Sequence, residues 1–267
     1  MDTDKDRNGQ TKSPKRIIII GASGELGGSL ARLYAASGAS LCLWGRDEGR
    51  LASIANDCRI AGAGQIDVRS LDLRNVDQAI AAVVEDDETT HFDMTIIASG
   101  LGDIMGIGAL VEDAGQVARL GIVNFVAPAA IASALGARMA ARSEGSIVLI
   151  GSAAAFHALP FATSYAASKA GLARFADALR INLRPHGVKV TLVSPGFIDT
   201  AAGRAVAGPK PLIMAPDEAA LLIAKAAAQG KAHLITPWPF VLLRLLDRAL
   251  PRFVRDRLLC ALKPSGR

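Results

Sequence analysis

Four consecutive isoleucines at 17–20 run directly into GASGELGG at 21–28, and this junction restricts the fold more than any other stretch of the chain. A short unbroken apolar run reads as a strand buried on both faces, which belongs in a parallel sheet. Gly21, Gly24 and Gly27 follow it at three-residue intervals. Glycine permits positive φ and close backbone approach, and a helix starting there offers unpaired N–H groups that attract a pyrophosphate. The unit then repeats. LCLW (41–44) precedes a helical stretch at 47–58, QIDVRSLDL (65–73) one near 76–84, and MTIIAS (94–99) a long one ending near Arg142. SIVLI (146–150), VKVTLVS (188–194) and HLIT (233–236) complete the series. Strands alternating with helices in this way predict an α/β fold, a doubly wound seven-stranded parallel sheet (Rossmann-like) with helices on both faces.

At 267 residues the chain suits one large domain, expected over 15–237, after a flexible leader at 1–14 and before a basic amphipathic helical extension at 238–267. The leader is polar and lacks the apolar centre of a secretory signal. Three cysteines at unrelated spacings suggest neither disulfide nor metal site. Both features point to a cytoplasmic protein, and no metal is expected. Of the 30 Lys/Arg and 25 Asp/Glu in the chain, seven and two fall within 238–267, so the rest is neutral. A basic tail with only 4% aromatic residues disfavours nucleic acid as a partner. Residues 120–137 carry no charge and have the length of a membrane span. They contain Asn124, Pro128 and Gly136 and fall where the sheet needs a cover, which favours a buried helix.

The stretch GSAAAFHALPFATSYAASK at 151–169 holds the chemistry. Tyr165 and Lys169 lie one helical turn apart, on one face. A phenol titrates near pH 10, so it is a poor proton carrier at neutrality unless its anion is stabilised. A neighbouring ammonium supplies that and is expected to lower the phenol. The second strand ends at Gly45-Arg46, with Asp47 and Glu48 after it. An acidic residue at such a tip suits the 2′-hydroxyl of NAD, and an arginine the 2′-phosphate of NADP. The order favours NADP, with NAD as the alternative and a merely solvated Arg46 as the bland reading.

GASGELG (21–27), Asp72-Leu73, Asn124, Ser152, YAASK (165–169) and PGFIDT (195–200) occur in this order, with Ser152 13 residues before Tyr165. Over about 15–237 the chain thereby resembles the short-chain dehydrogenase/reductase family. The resemblance implies an NAD(P)-dependent oxidoreductase interconverting a ketone and a secondary alcohol, with Tyr165 as general acid/base. It gives Lys169 the tasks of lowering the phenol and holding the nicotinamide ribose, and Ser152 that of binding the substrate oxygen. Asn124 would maintain a water-linked proton path to the lysine. The implied cofactor-binding set is Gly21, Ser23, Gly24, Glu25, Leu26 and Gly27 in the loop, Arg46, Asp72 and Leu73 near the adenine, and Ser99 and Gly100. Tyr165, Lys169, Pro195, Gly196, Ile198 and Thr200 complete it around the nicotinamide. The resemblance also implies a homodimer or homotetramer.

Two motifs depart from the family pattern. Glu25 stands where the middle glycine of TGxxxGxG is expected, and a carboxylate there would repel a pyrophosphate unless it faced solvent or bound a local N–H. Ile97-Ala98-Ser99-Gly100 stands for NNAG, so an apolar repacking is expected. These departures motivate a second reading, a nucleotide-binding protein of reduced catalysis with a regulatory or membrane-docked role. An epimerase or reductase working through a keto intermediate on a lipid-linked or envelope precursor is a third.

Structural roles stand beside the functional ones: Asn124 as a buried helix amide, Thr200 as a helix cap, Ser152 as a strand-end hydroxyl, and His157 as a packing histidine. The loop at 200–214 occupies the place of a substrate lid, with Arg204 and Lys210 either solvated or meeting an anionic substrate. In the tail, Arg244, Arg248, Arg252 and Arg255 form one stripe, and Leu242, Leu246, Leu250 and Phe253 an apolar face broken by Pro251. Such a helix suits peripheral contact with the inner face of a membrane and a lipid-like substrate. It equally suits docking on the protein's own pocket rim or another subunit.

Overall fold

The computed structural model describes residues 16–102, 105–106, 109–205 and 210–261. The leader expected at 1–14 lies outside them.

Seven strands form one parallel sheet: β1 (Arg16–Ile20), β2 (Ser40–Gly45), β3 (Ile66–Ser70), β4 (Met94–Ile97), β5 (Gly145–Ile150), β6 (Val188–Pro195) and β7 (His233–Thr236). Their spatial order is β3-β2-β1-β4-β5-β6-β7, every pair parallel. β3 is shorter than the expected 65–73. Beyond Ser70 the chain turns, and Asp72 folds back on Arg74 instead of extending the ladder.

The helices are α1 (Glu25–Ala35), α2 (Glu48–Ala61), α3 (Val76–Thr89), α4 (Ala114–Gly121), α5 (Ala127–Arg142), α6 (Thr163–Leu183), α7 (Ala201–Ala205), α8 (Pro216–Ala228), α9 (Pro239–Ala249) and α10 (Arg252–Ala261). Strand alternation splits the core in two. Ile17 and Ile19 face α1, α2 and α8, whereas Ile18 and Ile20 face α3, α5 and α6. Sequence runs without polar alternation therefore mark strands covered on both sides, as seen here. Ile97, in the place of the family's first asparagine, is 1% exposed and joins the second core, so the expected apolar repacking is present.

The apolar segment Ala114–Arg142 is long enough to cross a bilayer. In the fold it breaks into α4, a π-helical turn at Ile122–Val126, and α5, whose Ile131, Leu135 and Met139 lie in the second core. α3 and α5 are joined by the fully buried carboxylate of Asp87. It accepts from Arg138 Nε at 2.6 Å, Arg142 Nη1 at 2.9 Å and the Phe92 N–H at 2.9 Å.

From β1 the chain moves to β2 on one side, and β4 returns on the other. The carboxyl ends of β1 and β4 thus flank the point where strand order reverses, the usual crevice for ligands in an open α/β sheet.

Candidate active site

β1 runs into Gly21, which adopts φ of +94° and donates to the Trp44 carbonyl at 2.8 Å. A Cβ on Gly21 would come within 2.7 Å of the Ser99 backbone nitrogen, and one on Gly27 within 2.2 Å of the Gly21 carbonyl oxygen. No side chain fits at either place. Gly24 is the N-cap of α1 and supplies no side-chain cap, so the helix start keeps its orphan donors for an anion. Ser99 Oγ, beside this cradle, is buried without a partner among the described residues. A backbone cradle, an open helix start and an unpaired hydroxyl fit the pyrophosphate of a dinucleotide. Leu26 differs from the rest of the loop because its side chain belongs to the first core.

Glu25 is exposed, as one of the two expected alternatives has it, but the N–H it binds is not a local one. Its carboxylate accepts from the Ala201 N–H and, at 3.2 Å, from Arg204 Nη2. Arg204 also holds Asp199 at 2.7 Å. The phosphate loop and α7 are tied together across the cleft by residues far apart in sequence.

At the tip of β2, a Cβ on Gly45 would lie 2.5 Å from Ser23 Oγ, so this loop hydroxyl covers the glycine. Arg46 beside it is exposed, and its carbonyl accepts from Ser70 Oγ at 3.4 Å. Asp72, read as an adenine contact, has its carboxylate engaged by Arg74 through Nε at 2.8 Å and Nη2 at 2.6 Å. The Arg74 side chain, with help from the more distant Arg46, holds that carboxyl below its ordinary range. Leu73 is buried in the second core.

The proton-transfer candidates meet at the end of β5. Lys169 is 4% exposed, and its Nζ donates to the Ile150 carbonyl at 3.0 Å. Ser152, two residues further on, is buried and accepts from the Ala154 N–H at 3.1 Å. Tyr165 is half-buried on the first turn of α6, with the Ser152 hydroxyl as a hydrogen-bond partner of its phenol. The expected lowering of the phenol is not found here. Burial pushes Tyr165 up, the Ser152 hydrogen bond opposes it in part, and the lysine is turned to a backbone carbonyl. Burial also pushes Lys169 down to about 8.

Asn124 sits in the π-helical turn, fully buried. Its amide clasps Leu101, accepting from N–H at 2.7 Å and donating to C=O at 2.9 Å, and it reaches Ser168 Oγ at 3.3 Å. A Cβ on Gly100 would lie 3.2 Å from Lys169 Nζ and 3.5 Å from Asn124 Oδ1, so amide and ammonium converge on this glycine. π-turns within α-helices recur at functional sites. Pro195 ends β6, Gly196 lies against the Phe240 ring, and Ile198 bridges to Met214. Thr200 Oγ1 accepts from the Gly203 N–H at 3.0 Å, a capping role.

Two contributors escape a reading of local motifs. Glu112, 8% exposed, accepts from the Ser164 N–H at 2.9 Å and so caps the helix bearing Tyr165. Asp247, from α9, meets His157 Nδ1 at 3.0 Å. Both partnerships are long-range, and no short sequence pattern carries them.

Comparison with known proteins agrees with this geometry. Residues 15–209 match the family model for short chain dehydrogenases. An uncharacterized oxidoreductase of Mycobacterium tuberculosis is 32% identical over 248 residues, covering 91% of this chain and 96% of the relative. Among solved structures, the bulky-bulky ketone specific alcohol dehydrogenase from Comamonas testosteroni has a TM-score of 0.76 at 25% identity, covering 96% of this chain and 97% of that one. A short-chain dehydrogenase from Sphingobium yanoikuyae in complex with NADPH has a TM-score of 0.78 at 25% identity, covering 94% and 97%.

Proposed function

The chain belongs to the short-chain dehydrogenase family of NAD(P)-dependent oxidoreductases, and we propose that it interconverts a ketone and a secondary alcohol with NADP(H) as the preferred cofactor. The observation that carries this reading is the meeting of Ser152, Tyr165 and Lys169 at the end of β5, beside the Gly21–Gly27 cradle.

When bound, the nicotinamide supplies or accepts the hydride. The chain's residues do the rest. Ser152 donates to the substrate oxygen and steadies charge that develops there. Tyr165 gives that oxygen its proton in reduction and takes it back in oxidation. A phenol pushed up by burial is fully protonated at neutral pH, the form needed for reduction. Lys169 holds the ribose and offers its positive charge to the phenolate, while Asn124 orders the Leu101 backbone beside Gly100. Gly21, Ser23, Gly24, Glu25, Leu26 and Gly27 form the pyrophosphate loop, and Asp72, Leu73, Ser99, Pro195, Gly196, Ile198 and Thr200 flank the rest of the cofactor.

NADP preference is supported by the exposed Arg46 and the Ser23 hydroxyl at the tip of β2, and by the NADPH complex of the Sphingobium neighbour. The Comamonas neighbour, described as specific for bulky ketones, supports a carbonyl substrate of some size, small-molecule or lipid-like. We place the catalytic unit in 15–237 with 238–267 as an extension, the protein in the cytoplasm, and its working form as a homodimer or homotetramer.

Nicotinamide absorbance over a panel of small and bulky ketones tests the assignment. Wild type should turn over with NADPH ahead of NADH, and Tyr165→Phe should lose about 10²–10⁴-fold in rate with a far smaller change in cofactor affinity. Arg46→Ala should lose about tenfold in NADPH affinity and little in NADH affinity. Equal rates for wild type and Tyr165→Phe would refute the proton-transfer role. Cofactor binding without turnover on any ketone would favour the nucleotide-binding reading instead.

A further inference from the structure

α9 turns two charged side chains, Arg244 and Asp247, toward the protein. Asp247 meets His157 with both side chains largely buried, 13% and 18% exposed. Arg244 lies 4.8 Å above the Phe156 ring and donates to His233 Nδ1 at 3.5 Å. Of the expected arginine stripe, Arg244 is thus turned to the protein itself, as the docking alternative has it. Apart from the buried Phe240, most apolar side chains of α9 point the other way. Trp238 is 70% exposed, Leu242, Leu245 and Leu246 each half or more, and on α10 Phe253 is 72% and Leu258 52% exposed. An amphipathic helix normally turns this face to the core. A contiguous apolar patch of such side chains marks an interaction surface.

We propose that α9 and α10 dock on an anionic lipid bilayer. Charge selects this occupant over a second copy of the chain. The segment 238–267 carries seven Lys/Arg against two Asp, so two copies facing each other would repel, whereas acidic lipid headgroups attract the segment. Arg252 and Arg257 are exposed on α10 beside the apolar residues. Trp238, at the start of α9, is the residue type that settles at headgroup level.

Length fixes the mode of contact. Helices of 11 and 10 residues, separated at Pro251, each extend only about 15 Å, half the hydrocarbon thickness, so they lie in the interface and do not cross it. The surface also adjoins the candidate site. Phe240, buried on α9, rests against Gly196 in the turn after β6. The proposal stands whether or not the enzymatic assignment holds.

The chain carries its own probe. It has two tryptophans, and Trp44 is sealed in the core at 1% exposure, so changes in emission on adding vesicles report on Trp238. The full-length protein should sediment with vesicles containing phosphatidylglycerol and stay in the supernatant with pure phosphatidylcholine. Trp238 emission should shift to the blue and be quenched by brominated acyl chains. Leu242→Glu with Leu246→Glu should weaken partitioning by about tenfold or more, with an unchanged thermal melt and cofactor affinity. The wild-type quenching result needs no variant, so misfolding of the double mutant does not blunt the test. Wild type left in the supernatant with both vesicle types would overturn the proposal, as would binding without Trp238 quenching. Loss of self-association in the double mutant, with no vesicle binding by wild type, would assign the face to a second copy and likewise overturn it.

Discussion

The ammonium of Lys169 donates to the carbonyl of Ile150, 3.0 Å away at the end of β5. A single strand end therefore anchors the lysine and, two residues later, presents the Ser152 hydroxyl. The cost of this arrangement is a buried charge.

That burial sets a pH signature. Lys169 has an ordinary value of 10.5 and is pushed down to about 8 in the fold. Between these values the unfolded chain keeps the proton and the folded chain does not, so stability rises with pH through the window. Below about 8 the penalty is complete, on the order of 3 kcal/mol. Lys169→Met should abolish this contribution. Urea titrations at a series of alkaline pH values should show a flatter rise for the variant than for wild type. Parallel curves would mean that the ammonium is not desolvated as described.

Glu25 and Arg204 predict opposite effects on cofactor affinity. Their side chains are 42% and 54% exposed, so solvent screens the pair and it contributes little to folding. Glu25→Gln removes a negative charge beside the pyrophosphate and should tighten NADPH binding by about fivefold at low salt. Arg204→Ala leaves that charge unpaired and should weaken binding to a similar degree. Fluorescence titration of both variants, with and without added salt, checks the signs. Two shifts in the same direction would disprove the electrostatic account.

Asp87 should dominate stability without touching chemistry. Removing a fully buried carboxylate leaves Arg138 with Glu88 and Arg142 with the Phe92 carbonyl in place of their shared partner, and Asp87→Ala should cost about 3 kcal/mol in urea denaturation. Burial alone would raise this carboxyl, but the Phe92 N–H and the two arginines together outweigh it and hold the group below its ordinary 3.8. Its stabilisation is therefore complete above the unfolded value and lost as pH falls through the folded one. Wild type should lose stability on acidification faster than Asp87→Ala does.

The sheet was legible because buried strands announce themselves: four isoleucines at 17–20 with nothing polar between them have few other uses. The glycine spacing located the cradle, since Gly21 and Gly27 approach backbone so closely that no other residue fits. Side-chain pairings between distant segments were not legible. Glu25 finds Arg204 179 residues away, and Asp247 finds His157 90 residues away, only because the loops between them bring each pair together. In the tail, periodicity revealed two stripes but not which one faces inward. His157, His233 and Phe156 draw Asp247 and Arg244 of α9 to the protein, the reverse of the usual choice. Lys169 illustrates a third limit. Its spacing from Tyr165 was plain, yet the carbonyl it binds belongs to a strand 19 residues earlier.

The π-helical turn at Ile122–Val126 changes which side chains the long helix around it turns inward. Each α-helical residue advances the azimuth by about 100°, and a wider turn resets that count. α5 consequently turns Ile131, Leu135 and Met139 to the core in a register that a straight continuation of α4 would not give, and the same wide turn sets Asn124 where its amide reaches Leu101.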